Sequence, residues 1–448
     1  MDKPKISIAG CGYVGLVTAS VLASRGFNVI ATTIIEDHID LINSGQAPFY
    51  EEGLDDVLKQ VIKENKLMVT SDNQMAVLNT DITFISVGTP MREDNSIDLS
   101  FINTVSKEIG KALAKKKDFH LVVNRSTVVP GTTRNLIGKN LIQKSSKQLG
   151  KAIGLGMQPE FLREGSSVYD TFHPNRLIIG EFDKKSGDTL ENMWRLFYED
   201  RFPPIERMNI ESAELVKYAN NSFLCTKISF ANEFANFAEL IPNVDVNDVM
   251  KGIGLDERIN PKFFRAGVGF GGSCFHKDLS AIKKWARNLG FNSKVLQAVL
   301  DLNENQAIHI VDVAEELIGN LINKKISILG LSFKPGTDDM REAPSIRVIN
   351  ELRKRNVTDI IGYDPKAKES AEEAIGDKIK YAKSIEEALK NSECTLLITD
   401  WDEFKELTPD DYKKHMKTPN LIDGRRIYDY DKFNKELNFR AMGRINLE

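Results

Sequence analysis

The sequence predicts an α/β protein with two parallel-sheet domains joined by a central helical domain that contains a long helix. Three observations predict it. Short apolar runs alternate with helical periodicity from the N-terminus, the stretch Ser212 to Leu240 keeps helical spacing without a Gly or Pro, and the alternation restarts near Lys325. A chain of 448 residues exceeds one ordinary core, and each of three parts is long enough to bury its own interior. We expect those parts at 1–205, 206–315 and 316–448.

Taken in order, Lys5 to Ala9 reads as a short apolar strand that runs into Gly10-Cys11-Gly12-Tyr13-Val14-Gly15 and then into a helix over Leu16 to Ser24. A strand follows at Asn28 to Thr33, a helix ends at Asn43-Ser44-Gly45, and further strands are expected at Ile82 to Val87 and Leu121 to Asn124. Such alternation predicts a mostly parallel sheet covered by helices. After Pro203-Pro204 the composition changes. The uninterrupted helical stretch, at 1.5 Å per residue, makes a rod of roughly 40 Å, which we expect to form the core of the central domain and a dimer contact. From Lys325 the order is KISILGLSF, a helix from Ala343, IIGYD, a helix near Ile385, CTLLITD and NLIDGR. ISIAGCG and ISILGLS open alike, so the two halves are expected to share one topology. The second lacks the full glycine fingerprint and is expected to bind a different part of the ligand set.

The 60 basic and 64 acidic residues leave a net charge of −4, so no global positive field would hold the chain on nucleic acid or anionic lipid. A small-molecule partner is expected. Lys115, Lys116 and Lys117 form the one notable basic run and read as a solvated helix end. Cys11, Cys225, Cys274 and Cys394 lie far apart, without a CxxC pair or a His at metal-ligand spacing, so neither a disulfide framework nor a metal site is expected. No apolar run approaches the roughly 18 to 20 residues of a membrane helix, and the opening segment reads as a strand rather than a signal peptide. The expected location is cytoplasmic.

The glycine turn carries the first chemistry. Gly10 permits the tight turn, Gly12 lets backbone approach a pyrophosphate, and Gly15 lets helix and strand pack closely, the fingerprint of a Rossmann-like dinucleotide site. The following helix N-terminus offers its unpaired N–H groups to phosphate. Gly10, Gly12, Tyr13, Val14 and Gly15 are therefore the candidate cofactor residues. An acid that would bond the ribose 2′-OH is expected about 20 residues on, yet Thr33 holds that place. Threonine can bond a ribose hydroxyl but does not repel a 2′-phosphate, which leaves NAD and NADP both open. NAD is preferred because no Arg stands beside Thr33 and the nearest cation is His38; Glu36 and Asp37 read as compensating acids or as caps of the next helix.

In GVGFGGSCFHKD, residues 267 to 278, Cys274 follows four glycines that are expected to keep the backbone open, with Lys277 and Asp278 on the next turn. A nearby cation would raise the thiolate fraction, the nucleophilic form. From these residues Cys274 reads as a nucleophile or as a packed thiol. Cys394 sits in an apolar run, Cys225 in mid-helix and Cys11 in the cofactor turn, and none of them has this setting.

Eight segments in order resemble the UDP-glucose 6-dehydrogenase family across nearly the whole chain: GCGYVG, VGTP (87–90), STVVPGTT (126–133), PEFLREG (159–165), VKYANNSF (216–223), RINPKFFRAGVGFGGSCFHKD (258–278), FKPGTDDMRE (333–342) and IDGRR (422–426). The resemblance implies a four-electron oxidation of UDP-glucose to UDP-glucuronate by NAD, or NADP. Cys274 would trap the aldehyde of the first oxidation as a thiohemiacetal, from which a second hydride leaves to give a thioester that water opens. Lys217 and Asn221, i and i+4 on one helix face, would stabilise the oxyanion. Glu160 would be the hydrolytic base and Asp278 would place its water. Thr127 and Thr89 would touch the cofactor or the active-site water, and Glu164, Lys277 and Arg341 fall on the cofactor side.

For the nucleotide sugar the resemblance implies Phe161, Leu162, Lys217, Asn221, the loop Arg265 to Gly271, Phe333, Lys334 and Arg425. Arg258 would be donated across a dimer interface. Guanidinium groups suit a diphosphate, which they grip through two donors. Two positions depart from the family pattern: Thr33 replaces the acid, and His276 stands where Pro or Gln is usual, two residues from the thiol. Dehydrogenases of GDP-mannose or of a UDP-N-acetylhexosamine share the same two-step chemistry and are the nearest alternatives; a non-catalytic nucleotide-binding homologue is the remaining one.

Overall fold

Residues 2–445 are described by the computed structural model, and they form two compact units that divide after residue 220. The division falls inside the long helix Ile210–Ala238.

The first unit is built on an eight-stranded sheet of β1 (Ile6–Ala9), β2 (Val29–Thr32), β3 (Leu67–Thr70), β4 (Ile82–Ile85), β5 (His120–Asn124), β6 (Ile153–Met157), β7 (Leu177–Glu181) and β8 (Ile205–Asn209). Their order is β3-β2-β1-β4-β5-β6-β7-β8, with every pair parallel except β6 and β7. All residues of β1, β4, β5 and β6 are buried, as expected of parallel strands covered by helices on both faces. Three of their polar side chains are linked in a row: Ser7 Oγ lies 2.7 Å from Thr83 Oγ1, which lies 2.7 Å from His120 Nε2. Burial pushes the His120 imidazole down to about 3, so this network stays uncharged.

The second unit holds six parallel strands, β9 (Ile326–Leu329), β10 (Ile360–Tyr363), β11 (Lys380–Tyr381), β12 (Cys394–Leu397), β13 (Asn420–Asp423) and β14 (Asn438–Ala441), in the order β11-β10-β9-β12-β13-β14. That repeats the order of the first six strands, as the shared opening of the two halves predicted. The helix Lys294–Ile318 packs Ala307, Ile310, Val311 and Ala314 into the same apolar cluster as Ile326, Ile328, Leu396 and Ile422, so this helix and the sheet share one core.

The first turn of the second sheet differs from that of the first for a definite reason. Asp364, directly after β10 and 5% exposed, accepts the N–H groups of Leu331 at 2.8 Å and Ser332 at 2.9 Å and the Ser332 hydroxyl at 2.9 Å. An acid at the tip of the second strand, the place of a ribose ligand, here closes the turn after β9 from within. Among the described residues no helix is long and apolar enough to cross a membrane.

Candidate active site

In the first unit the turn after β1 is shaped by what its glycines exclude. Gly10 has φ +110°, and a Cβ there would lie 2.6 Å from the Ser86 carbonyl oxygen; one on Gly15 would collide with the Gly10 carbonyl. Around Gly12 there is open space, with nothing within 4 Å of an added Cβ. The helix Tyr13–Ser24 starts there with no side-chain cap and no acid in its first turn, which leaves its N–H groups and partial positive charge to an anion. This cradle fits a dinucleotide pyrophosphate held by Gly10, Gly12, Val14, Gly15 and the first helical turn.

Tyr13 has a second duty. Its hydroxyl donates to Glu51, a 5% exposed carboxylate that also accepts Gly165 N–H at 2.7 Å and Ser167 N–H at 2.6 Å. Burial and the neighbouring Glu51 push the phenol well above its ordinary range, so it remains a donor. Glu51 thus ties the cofactor turn to the PEFLREG segment, and sequence reasoning missed it. In Phe49-Tyr50-Glu51-Glu52-Gly53 nothing distinguishes the inward acid from its neighbour. Glu164 is half-buried in the segment that Glu51 holds.

Thr33 follows β2 as its register predicts, half-buried, with Oγ1 accepting the Ile35 N–H at 3.3 Å. Thr89 and Thr127 meet: the Thr89 hydroxyl donates to the Thr127 carbonyl at 2.8 Å, which joins the segments after β4 and β5.

Also in the first unit, the Lys217 ammonium donates to the Glu160 carboxylate at 2.8 Å and to the Glu160 carbonyl at 2.7 Å. The two side chains are 5% and 9% exposed. The other Glu160 oxygen accepts Leu162 N–H at 2.7 Å. Burial pushes this carboxyl up, but Lys217, the Leu162 N–H and buried Arg125 together outweigh it and hold Glu160 below the usual carboxylate range. Phe161 is covered by Arg176, 4.0 Å from its ring centroid, with Lys217 at 5.6 Å. So Glu160, Phe161, Leu162 and Lys217 form one cluster.

In the second unit Cys274 is exposed and is the N-cap residue of the helix Phe275–Asn288, whose first-turn carboxylate is Asp278. A helix N-terminus suits a sulfur anion. The cation in sequence reach does something other than expected. Lys277 pairs with Asp278 at 2.6 Å, and Asn221 Nδ2 donates to the other Asp278 oxygen at 2.7 Å. Asp278, 1% exposed, is therefore held between Asn221 and Lys277. His276 is half-buried, with Nε2 3.9 Å from Glu304.

The glycines before Cys274 do not keep the backbone open. A Cβ on Gly269 would lie 2.6 Å from the Asn303 amide oxygen, and one on Gly272, at φ +87°, 2.8 Å from the Phe333 ring; on Gly267 and Gly271 it would strike the carbonyls of Gly424 and Glu342. They are needed for close packing instead. Three buried amides hold this loop, and the sequence did not single them out: Asn232 accepts Gly267 N–H at 2.8 Å, Gln306 donates to Gly267 O at 2.9 Å, and Asn303 accepts Phe270 N–H at 2.7 Å.

Around the same loop stand the expected nucleotide residues. Arg425 donates to the carbonyls of Ile398 and, at 3.1 Å, Gly269. Burial pushes its guanidinium down from its ordinary value, against the pull of Asp400 and Asp423. Lys334 lies 5.4 Å over the Phe333 ring. The Arg265 side chain is 86% exposed, with Nη1 3.5 Å from Asp400. Arg341 pairs with Asp339 at 2.8 Å, and its carbonyl accepts Gly272 N–H at 3.0 Å. Arg258 is 83% exposed and folded back on Asp256 at 2.5 Å, apart from this group.

Comparison with known proteins decides the family. Residues 4–198, 211–305 and 327–430 match the models of the NAD binding, central and UDP binding domains of UDP-glucose/GDP-mannose dehydrogenases. A UDP-glucose 6-dehydrogenase of Haloferax volcanii is 41% identical over 94% of this chain and 97% of its own length. The chain belongs to the UDP-glucose/GDP-mannose dehydrogenase family.

A solved UDP-glucose dehydrogenase of this family, from Pyrobaculum islandicum, is 34% identical with a TM-score of 0.91, covering 99% of this chain and 98% of that one. A GDP-mannose 6-dehydrogenase of Pseudomonas aeruginosa is 41% identical, over 78% of each chain. The NAD binding match spans the glycine cradle and Thr33, so the family's cofactor falls where the fold prepares an anion site. The UDP binding match spans Phe333, Lys334, Arg341 and Arg425.

Proposed function

We propose that this protein oxidises the C6 alcohol of UDP-glucose to the carboxylate of UDP-glucuronate in two steps on Cys274. The observation that carries the proposal is the placement of Cys274: an exposed thiol at the N-cap position of a helix, after a loop locked by four tightly packed glycines, one turn from the buried Asp278. A core cysteine has no use for this construction. Curated relatives 38–41% identical over 94–95% of the chain are named for UDP-glucose, and the solved UDP-glucose dehydrogenase superposes with a TM-score of 0.91, against 0.56 for a GDP-mannose dehydrogenase of similar coverage.

NAD, when bound at the glycine cradle, supplies the acceptor for each hydride. Loss of a hydride from C6 and a proton from its hydroxyl gives the aldehyde. The Cys274 sulfur adds to that carbon, and Lys217 and Asn221 carry hydrogen bonds for the oxyanion that forms. Loss of a second hydride leaves a thioester. Glu160, ionised because Lys217 holds it so, accepts a proton from the attacking water, with Asp278 placing that water. The carbon–sulfur bond then breaks, releasing the acid and the thiolate. Thr89, Thr127, Glu164, Lys277 and Arg341 serve the cofactor side, and Phe161, Leu162, Arg265, Gly271, Phe333, Lys334 and Arg425 the UDP-sugar.

A homodimer belongs to the same reading. Phe223, Phe230 and Phe237 recur every seven residues on the long helix, 64%, 43% and 48% exposed, a stripe suited to a twin helix. Arg258 would reach a second copy from this side.

The test is stoichiometric: purified protein with UDP-glucose and NAD should reduce two cofactors per sugar, and Cys274→Ser should lose the second. One per sugar with accumulating aldehyde would refute the role of Cys274, and faster turnover of GDP-mannose would refute the substrate.

A further inference from the structure

The long helix carries a buried acid that the reaction above does not use. Glu214 is 0% exposed and sits one turn before Lys217, on the same helix face. Its two oxygens take two different backbone donors, Gly131 N–H at 2.5 Å and Thr133 N–H at 2.7 Å. Both donors lie in the turn that leads from β5 into the helix beginning at Thr133. From the other side Asn124 Nδ2, at the end of β5, donates to Thr133 Oγ1 at 2.9 Å. The start of the same segment is fastened to the loop after β4, where Ser126 Oγ donates to Val87 O at 2.7 Å and Thr127 O accepts the Thr89 hydroxyl at 2.8 Å. Ser126 to Thr133 is thus a strap held at both ends, and Glu214 is the clasp at the far end.

We infer that Glu214 is a positioning residue for the cofactor end of the reaction: its carboxylate, by gripping Gly131 and Thr133, fixes the strap that carries Thr127. The inference rests on the proposed reading of Thr89 and Thr127 as cofactor contacts.

The grip needs the anion, because a protonated oxygen would turn a donor toward a donor. The charged groups facing Glu214 are Glu211 on its own helix and Arg134 on the helix after the turn, and these pair with each other at 2.6 Å. Arg134 is therefore shared, and Glu211 adds repulsion. Burial pushes the Glu214 carboxyl up to about 7, with the Thr133 and Gly131 donors pulling the other way. A carboxyl raised on folding contributes stability that is fully present below its unfolded value and lost as pH rises through the folded one. Stability and positioning therefore oppose each other at this residue: the fold favours the neutral form, the strap requires the charged one.

The experiment measures NAD affinity of the full-length protein without sugar, from pH 5.5 to 8.5, for the parent and Glu214→Gln. In the parent, affinity should fall about five- to tenfold as pH drops through the neutral range, the loss expected of one hydrogen bond. Glu214→Gln should bind weakly at every pH and lack that inflection. An unchanged inflection in the variant, or a flat profile in the parent, overturns the inference. Should the variant fail to fold, amide exchange in the parent decides: protection at Gly131 and Thr133 should drop below neutral pH, and constant protection overturns the clasp. Thr89→Val and Thr127→Val separate the two readings. If they leave NAD affinity unchanged, the cofactor assignment falls, while the protection of Gly131 and Thr133 still judges Glu214.

Discussion

Replacing Lys217 by Met tests the electrostatics of the site most directly. The substitution keeps an unbranched stem of similar length and removes only the ammonium, leaving the Glu160 carboxylate, 9% exposed, without its partner at 2.8 Å. At that separation and an effective dielectric of about 20, the lost attraction is about 6 kcal/mol before the lysine's own desolvation is returned. Removal of one partner of a buried pair nets about 3–5 kcal/mol. At pH 8 the unfolding midpoint should fall by about 10 °C for a unit of this size. The pH dependence should also change sign. In the parent Glu160 is held below its usual value, so its contribution is present above the unfolded pKa and lost as pH falls through the folded one. Without Lys217 burial dominates, the carboxyl rises, and the variant should gain stability relative to the parent as pH is lowered from 8 toward 5. Thermal or guanidinium unfolding across that range reads both effects. A gap between parent and variant that does not narrow with falling pH would refute the claim that Lys217 is what keeps Glu160 charged.

Three further outcomes are expected. Asp278→Asn, which loses the Lys277 ion pair at 2.6 Å, should slow hydrolysis more than oxidation, so intact mass spectrometry should find an acylated Cys274; an unmodified protein during turnover would count against the role of Asp278. Thr33→Asp restores an acid at the end of β2 and should raise the preference for NAD over NADP by about tenfold, from like-charge repulsion of the 2′-phosphate; equal Kd ratios before and after would show that Thr33 does not face the ribose. Gly272→Ala forces a Cβ to 2.8 Å from the Phe333 ring at φ +87°, and should cost about 2–3 kcal/mol in denaturant unfolding while lowering kcat; a neutral result would mean the loop is not locked by this contact.

Much of this molecule was legible because its signals are local. β1, the glycine turn and the helix behind it follow one another within about 20 residues, and Gly10 and Gly15 each answer to a steric demand of their neighbours. The long helix emerged at Ile210–Ala238 against an expectation of Ser212 to Leu240, since an unbroken 3.6-residue period needs no tertiary information. β3, β6, β7, β8, β11 and β14 were not anticipated. Two to five residues long, with glycine inside β6 and β7, they take their definition from the strand alongside.

By itself, the order of residues determined the fold class and the glycine turn and set Cys274 apart from the other three cysteines, because each depends on side-chain size, backbone freedom or periodicity within a short window. Tertiary structure alone decided which charges meet. Lys277 is adjacent in sequence to the segment of the thiol, yet its ammonium goes to Asp278; Glu51 and Glu214 find backbone N–H groups 114 and 83 residues away in the chain. The desolvation that gives such pairs their energy arises only when distant segments exclude water together, and no local pattern encodes it.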